Sequence, residues 1–155
     1  MEEIMDYLKI GQKAPEFSLM GNDGKEHNLN EFLGKKLVIF FYPKDQTPGC
    51  TQEACDFRDY LNVIEAKEAV VLGISADSVS SHQKFIQKYD LNFLLLSDPS
   101  KSMLKEYGVL KGDGGISRTT YIISEKGMVE RVYPNVKVED HVEQILADFD
   151  EPHRH

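Results

Sequence analysis

Four continuous apolar runs recur along the chain. They cover residues 37–42, 70–74, 93–96 and 121–123, and they are rich in branched and aromatic side chains. Continuous apolar runs, unlike alternating ones, are typical of strands that are buried on both faces of a sheet. The pattern therefore predicts a central sheet that is covered on both sides.

Segments with helical spacing lie between these runs. Apolar positions recur three and four residues apart within residues 57–64, 85–89, 103–107 and 142–149. Residues 80–83, with the sequence Ser-Ser-His-Gln, precede the second segment and resemble a capping box. Strands that alternate with helices predict a three-layer α/β domain with helices on both faces of the sheet.

Turn signals predict two hairpins. Residues 21–24, with the sequence Gly-Asn-Asp-Gly, follow a short apolar stretch at 17–19 and predict an N-terminal β-hairpin. Residues 125–127, with the sequence Glu-Lys-Gly, separate the run that ends at Ile123 from a further run at 129–132. The second hairpin makes the last strand pair antiparallel, so the predicted sheet is mixed.

Composition and charge narrow the class of protein. A chain of 155 residues with 41% hydrophobic residues predicts one domain over residues 1–155, with a frayed polar tail at about 150–155. The formal net charge of -8 makes nucleic acids and anionic membrane surfaces poor partners. No apolar run is long enough to span a bilayer, and the acidic start lacks the pattern of a signal peptide. The expected location is the cytoplasm.

The chain contains two cysteines, Cys50 and Cys55. In a reducing compartment a lone pair is more often catalytic or redox-active than structural, although both thiols could also be small buried hydrophobes. A zinc site is not expected, because there is no second cysteine pair and neither His27 nor His82 has ligand spacing to the first. Glu53 occupies the third position after Cys50, so a Cys-x-x-Cys dithiol is absent.

The position of Cys50 favours reactivity. A buried strand ends at Pro43, a loop with Pro48 and Gly49 follows, and Cys50 is expected to open the next helix. Ligands of open α/β sheets bind beyond the carboxyl ends of the strands. The N-terminus of a helix also favours a thiolate over a thiol, because unpaired N–H groups and the helix dipole face the sulfur there.

The residues around Cys50 resemble a known family. The pattern Pro43-x-x-x-Thr47-x-x-Cys50 matches the active-site motif of peroxiredoxins, and residues 42–59 resemble the bacterioferritin-comigratory protein or peroxiredoxin Q subfamily. Further similarity covers residues 73–78, 81–85, 107–109 and 116–121, which extends the resemblance over nearly the whole chain.

The resemblance implies a thioredoxin-like fold and a function in antioxidant defence. A member of this subfamily reduces hydrogen peroxide and organic hydroperoxides with electrons from thioredoxin, and works as a monomer without a metal or an organic cofactor. It implies that Cys50 is the peroxidatic residue, which is oxidised to a sulfenic acid, and that Cys55 is the resolving residue, which forms a disulfide with it.

Three residues receive supporting roles from the resemblance. The hydroxyl of Thr47 would help to hold the O–O bond in line with the sulfur, although a threonine here could also cap the following helix. Pro43 would stiffen the loop and shield the thiolate from water, or serve as a plain turn residue. Arg118 follows a glycine-rich loop and would stabilise the thiolate and the leaving oxygen, unless it is an ordinary surface arginine. Arg58 is a second, weaker candidate, which could instead pair with a carboxylate.

Two further readings of the chain stay open at the level of sequence. The protein could be a non-enzymatic α/β binding module or thiol sensor, or a general dithiol–disulfide oxidoreductase. If it is a peroxidase and Cys50 and Cys55 share one α-helix, their Cα atoms lie about 8.6 Å apart. This exceeds the limit of about 7 Å for an unstrained disulfide, so oxidation would have to unwind the helix from about Cys50 to about Arg58.

Overall fold

The computed structural model describes residues 5–149, and a seven-stranded mixed sheet runs through the centre of this part of the chain. The strand order along the sheet is β2-β1-β5-β4-β3-β6-β7. The strands are β1 (Ser18–Gly21), β2 (Glu26–Asn28), β3 (Lys36–Phe41), β4 (Ala69–Ser75), β5 (Leu94–Ser97), β6 (Thr119–Ile123) and β7 (Val129–Tyr133). The four apolar runs are therefore strands, each within two residues of its predicted bounds. The tail predicted at 150–155 lies outside the described residues.

Helices cover both faces of the sheet, as the sequence predicts. They are α1 (Pro48–Ala66), α2 (Val79–Tyr89), α3 (Ser102–Glu106) and α4 (His141–Phe149), with a 3₁₀ turn at Leu29–Phe32. Side chains of α1, α2 and α4 share one apolar core, whereas those of α3 and the 3₁₀ turn share the other. Alternate residues of β3 enter the two cores, which explains the unbroken apolar run. No helix among residues 5–149 is long and apolar enough to cross a membrane.

The start of α2 differs from the prediction. Ser78 is the N-cap, and its side chain accepts a hydrogen bond from the backbone N–H of Ser81. The proposed capping box at residues 80–83 is wrong, because Ser80 already lies inside the helix. Ser78 can cap because its backbone is extended and leaves its hydroxyl beside the free N–H groups of the first turn.

Both predicted hairpins are present, and the sheet adds pairings that turn signals cannot predict. Strands β1 and β2 form the N-terminal hairpin, and β1 also pairs antiparallel with β5 at the edge of the sheet. Strand β3 runs parallel to β4 and antiparallel to β6. The end of β3 therefore lies beside the start of β6, where Phe41 pairs with Thr119. This pairing brings the loop after β3 close to Arg118.

Candidate active site

Cys50 lies in the first turn of α1 and is 1% exposed. The helix begins at Pro48, two residues earlier than expected, because proline has no N–H to lose and its fixed φ suits the first helical position. Cys50 therefore lies inside the first turn, with its sulfur buried against the sheet. The structure shows both cysteines as free thiols.

Arg118 makes direct contact with Cys50. Its Nη2 donates to the Cys50 sulfur at 3.2 Å, and its Nη1 donates to Oε1 of Glu53 at 2.8 Å. Gly49 leaves room for this approach, because a Cβ there would lie 3.2 Å from Nη2. Burial lowers the pKa of Arg118, but the charges of Glu53 and Cys50 outweigh burial and raise it. The alternative of an ordinary surface arginine is therefore wrong, because the guanidinium of Arg118 lies in hydrogen-bond contact with the Cys50 sulfur.

Glu53 is a site residue that the sequence reasoning missed. Its side chain is fully buried, Oε1 accepts from Arg118, and Oε2 has no hydrogen-bond partner among residues 5–149. Burial raises the pKa of Glu53 to about 7, although the charge of Arg118 acts in the opposite direction. A signal was available in the sequence, because Glu53 follows Cys50 by about one helical turn and shares its side of the helix.

Thr47 precedes α1 as its N-cap residue, but its side chain does not cap the helix. The hydroxyl donates to the carbonyl oxygen of Lys44 at 2.9 Å instead. The alternative of a capping threonine is therefore wrong. Because its proton is engaged by Lys44, the hydroxyl has lone pairs free to accept a hydrogen bond from another group.

A cleft with a volume of about 570 Å³ opens beside these residues. Pro43 and Arg118 line it together with apolar side chains that include Ile116 and Val136. Lys111, Ser117 and Asn135 also line the cleft, so its wall combines apolar and polar side chains and carries the positive charges of Arg118 and Lys111. This arrangement suits a small substrate with a polar end.

Cys55 lies on α1 as expected and is partly exposed. Burial raises the pKa of the Cys55 thiol, and the nearby positive charge of Arg58 offsets this only in part. Arg58 pairs with the carboxylate of Asp59 at 2.9 Å and donates to the carbonyl oxygen of Tyr89 at 2.6 Å. Arg58 therefore forms the ion pair with a carboxylate that the sequence offered as the alternative to a role beside Cys50.

A buried polar cluster lies under the loop that leads to Cys50. Ligand-type atoms of Asp45, Asp77 and His82 all lie within 4.8 Å of one another. Each of the three side chains already contacts protein groups: Asp45 pairs with His82 at 2.7 Å, and Asp77 accepts from Ser75 at 2.7 Å. The cluster is therefore a satisfied hydrogen-bond network. The sequence reasoning missed it because it considered His82 for a capping box and for metal binding, but not for a contact with Asp45.

Comparison with known proteins identifies the family. The model of the AhpC/TSA family matches residues 10–132. The chain belongs to this family. Peroxiredoxin Bcp of Bacillus subtilis is 42% identical over 146 residues, which cover 90% of this chain and 93% of that protein. Chloroplastic peroxiredoxin Q of Populus jackii is 44% identical over 146 residues, which cover 92% of this chain and 68% of that protein.

Solved structures of this family share the fold. The bacterioferritin comigratory protein of Xanthomonas campestris matches with a TM-score of 0.86 and 34% identity, over 91% of this chain and 97% of that one. Peroxidoxin BcpB of Mycobacterium tuberculosis matches with a TM-score of 0.87 and 32% identity, over 92% and 97% of the two chains. The thioredoxin-like fold and the resemblance to peroxiredoxins are confirmed, and the protein is a thiol-dependent peroxidase.

Proposed function

We propose that Cys50 is the peroxidatic residue of this peroxiredoxin, that Cys55 resolves its oxidised form, and that thioredoxin reduces the product. The substrates are hydrogen peroxide and organic hydroperoxides. The observation that carries the assignment is the 3.2 Å hydrogen bond from Arg118 to the Cys50 sulfur at the start of α1. Cys55 has no such cation in hydrogen-bond contact with its sulfur among the described residues, and burial raises its pKa.

In the first step the Cys50 thiolate attacks the peroxide oxygen that carries hydrogen. The O–O bond breaks, Cys50 becomes a sulfenic acid, and the departing alkoxide or hydroxide takes up a proton to leave as an alcohol or water. Arg118 stabilises the negative charge first on the sulfur and then on the leaving oxygen. Thr47 accepts the hydrogen bond of the peroxide O–H, while Pro43 keeps water away from the reacting atoms.

In the second step the Cys55 thiol attacks the Cys50 sulfenic acid, so that an S–S bond forms and one water leaves. An intact α1 holds the two Cα atoms about 8.6 Å apart, beyond the reach of a disulfide. The first turns of α1 must therefore unwind. Phe57 is fully buried and stacks on Phe40 with ring centroids 4.6 Å apart, so unwinding ends before Phe57.

In the third step a dithiol partner reduces the Cys50–Cys55 bond and restores both thiols. We propose thioredoxin for this role, a monomeric state and a cytoplasmic location. Light scattering coupled to size-exclusion chromatography of the reduced and oxidised protein tests the monomer. Replacement of thioredoxin by glutaredoxin and glutathione in the assay below tests the choice of reductant.

The deciding experiment follows NADPH consumption with peroxide, thioredoxin and thioredoxin reductase. The wild-type protein is expected to turn over many equivalents of peroxide, whereas Cys50→Ser is expected to be inactive because a hydroxyl is a poor nucleophile near neutral pH. Omission of thioredoxin provides the blank. Stoichiometric consumption would indicate a thiol sensor, insulin reduction would indicate a general oxidoreductase, and turnover by Cys50→Ser would move the peroxidatic role elsewhere.

A further inference from the structure

Helix α2 contacts the chain at both ends of the stretch that holds the two cysteines. We call residues 46–57 the cysteine segment. Asp45 precedes it and contacts the first turns of α2, whereas Arg58 follows it and contacts the last turn of α2. One straight helix thus touches the chain immediately before and immediately after the part that must unwind.

The contact before the cysteine segment is buried and has several bonds. Oδ2 of Asp45 accepts from the Ser81 hydroxyl at 2.8 Å and pairs with Nδ1 of His82 at 2.7 Å, and Oδ1 accepts from the Tyr42 hydroxyl at 2.5 Å. The backbone N–H of Asp45 donates to Asp77 at 2.8 Å. These bonds fix the position of the loop from which Thr47 and α1 start.

His82 is the residue of α2 at the centre of this contact. Its Nε2 donates to the carbonyl oxygen of Leu96 at 2.9 Å, because a carbonyl can only accept. Its Nδ1 lies 2.7 Å from Oδ2 of Asp45 and 3.4 Å from the Tyr42 hydroxyl. The side chains of Asp45 and His82 are 2% and 0% exposed. Loss of one partner would leave a buried polar group of the other without its hydrogen bond.

The contact after the cysteine segment is smaller. Nη1 of Arg58 donates to the carbonyl oxygen of Tyr89 at 2.6 Å, in the last turn of α2, where carbonyls lack partners within the helix. The amide of Asn92 donates to the backbone oxygen of Arg58 at 3.4 Å. The Arg58 side chain is 31% exposed. This end is therefore held mainly by one charge-assisted hydrogen bond within reach of water.

We propose that His82 and Arg58 are positioning residues that fasten the two ends of the cysteine segment to α2 and so restrain its unwinding. This inference rests on the proposed Cys50–Cys55 disulfide. The strong contact through His82 keeps Cys50 in place for peroxide in the folded state. The weaker contact through Arg58 determines how readily Cys55 leaves its helical position to meet the sulfenic acid.

The Cys50 sulfenic acid has two fates, and their ratio reports the Arg58 contact. It either forms the disulfide with Cys55 or reacts with a second peroxide to give a sulfinic acid and either water or an alcohol. Mass spectrometry after reaction with increasing peroxide gives the peroxide concentration at which half of the protein is overoxidised. Arg58→Gln is expected to raise this concentration about fivefold, because it removes a charge-assisted hydrogen bond that resists unwinding.

Two variants control this measurement. Arg58→Lys keeps a charged donor and should restore much of the wild-type ratio, whereas Lys84→Gln alters an exposed residue of α2 between the two contacts and should change nothing. The rate constant of the first peroxide reaction should stay within about twofold in Arg58→Gln, as should the pattern of hydrogen exchange in β3 and β4. A general loss of stability would move all of these quantities together.

Loss of the contact through His82 should slow the first peroxide reaction, whereas loss of the Arg58 contact should change only the fate of the sulfenic acid. His82→Gln is expected to lower the rate constant of the first peroxide reaction by about tenfold or more, because the loop that carries Thr47 loses a buried hydrogen bond to α2. If His82→Gln does not fold, Asp45→Asn combined with His82→Gln replaces both partners by neutral amides and should fold, with the same slow first reaction. Wild-type rates in the folded variant would overturn this half of the proposal.

The outcomes separate this inference from the proposed function. If the wild-type protein forms no Cys50–Cys55 bond, both the proposed two-cysteine function and this inference are refuted. If the wild type forms that bond but Arg58→Gln overoxidises at the same peroxide concentration as wild type, only the role of Arg58 is refuted. A lower concentration for Arg58→Gln would also refute it, because the contact would then favour resolution.

Discussion

Replacement of Glu53 by Gln is expected to remove a pH dependence from the stability of the protein. Burial raises the pKa of Glu53 from its ordinary value of 4.5 to about 7 in the folded state. The folded protein therefore binds this proton more tightly than the unfolded chain does. The stability that the proton contributes is complete below pH 4.5, and it is lost as the pH rises through 7.

The size of the effect follows from this difference in pKa. A difference of this size corresponds to roughly 3 kcal/mol in total, most of which falls between pH 5 and pH 8. His141 opposes this trend at lower pH, because burial and the charge of Arg118 lower its pKa to about 4. The pH dependence of the free energy of unfolding of a single protein therefore does not isolate Glu53. The difference in this free energy between two variants does.

Urea unfolding of two variants isolates Glu53. Both carry Cys50→Ser, which removes the reactive thiol, and one also carries Glu53→Gln, which keeps the shape of the side chain without its charge. Circular dichroism follows unfolding at several pH values from 5 to 8, because the chain has no tryptophan. As the pH rises from 5 to 8, the free energy of unfolding of the variant with Glu53→Gln should increase by roughly 2 to 3 kcal/mol relative to that of the variant with Cys50→Ser alone. A difference that stays constant within about 0.5 kcal/mol would show that Glu53 titrates normally and refute the reasoning.

Three further predictions concern the catalytic cycle. Arg118→Lys should lower the rate of peroxide reduction by about 100-fold, because an ammonium lacks the planar fork that meets both Cys50 and Glu53; Arg131→Lys is the control, and equal rates in the two variants would contradict this role. Cys55→Ser should consume about one equivalent of peroxide, stop at the sulfenic acid and overoxidise in excess, so sustained turnover with thioredoxin would exclude Cys55 as the resolving residue. Oxidation of the wild type should remove hydrogen-exchange protection from residues 48–56 but not from the helix after Phe57; a disulfide formed with protection intact would show that local unwinding is wrong.

The sequence by itself determined most of the secondary structure and pointed to Cys50 as the candidate reactive residue. Apolar runs predict β3, β4, β5 and β6 because a strand that is buried on both faces needs no polar side, and this requirement is local. The motif around Cys50 likewise combines residues that are close in sequence. The start of α2 was misplaced at residues 80–83, since several neighbouring serines can all cap and only the backbone conformation at Ser78 selects one.

The tertiary structure decided which distant residues complete the site. Arg118 reaches Cys50 because β6 runs antiparallel beside β3, a pairing that no periodicity in either strand specifies. The burial of Glu53 depends on that same approach, since a carboxylate loses its water only when Arg118 and the sheet close over it. Asp45 and His82 are 37 residues apart. Their side chains meet only because β3 ends and α2 begins at the same end of the sheet. Local patterns indicate which side chains of each segment are buried. The packing of the whole sheet sets the order of the strands, and that order determines which segments meet.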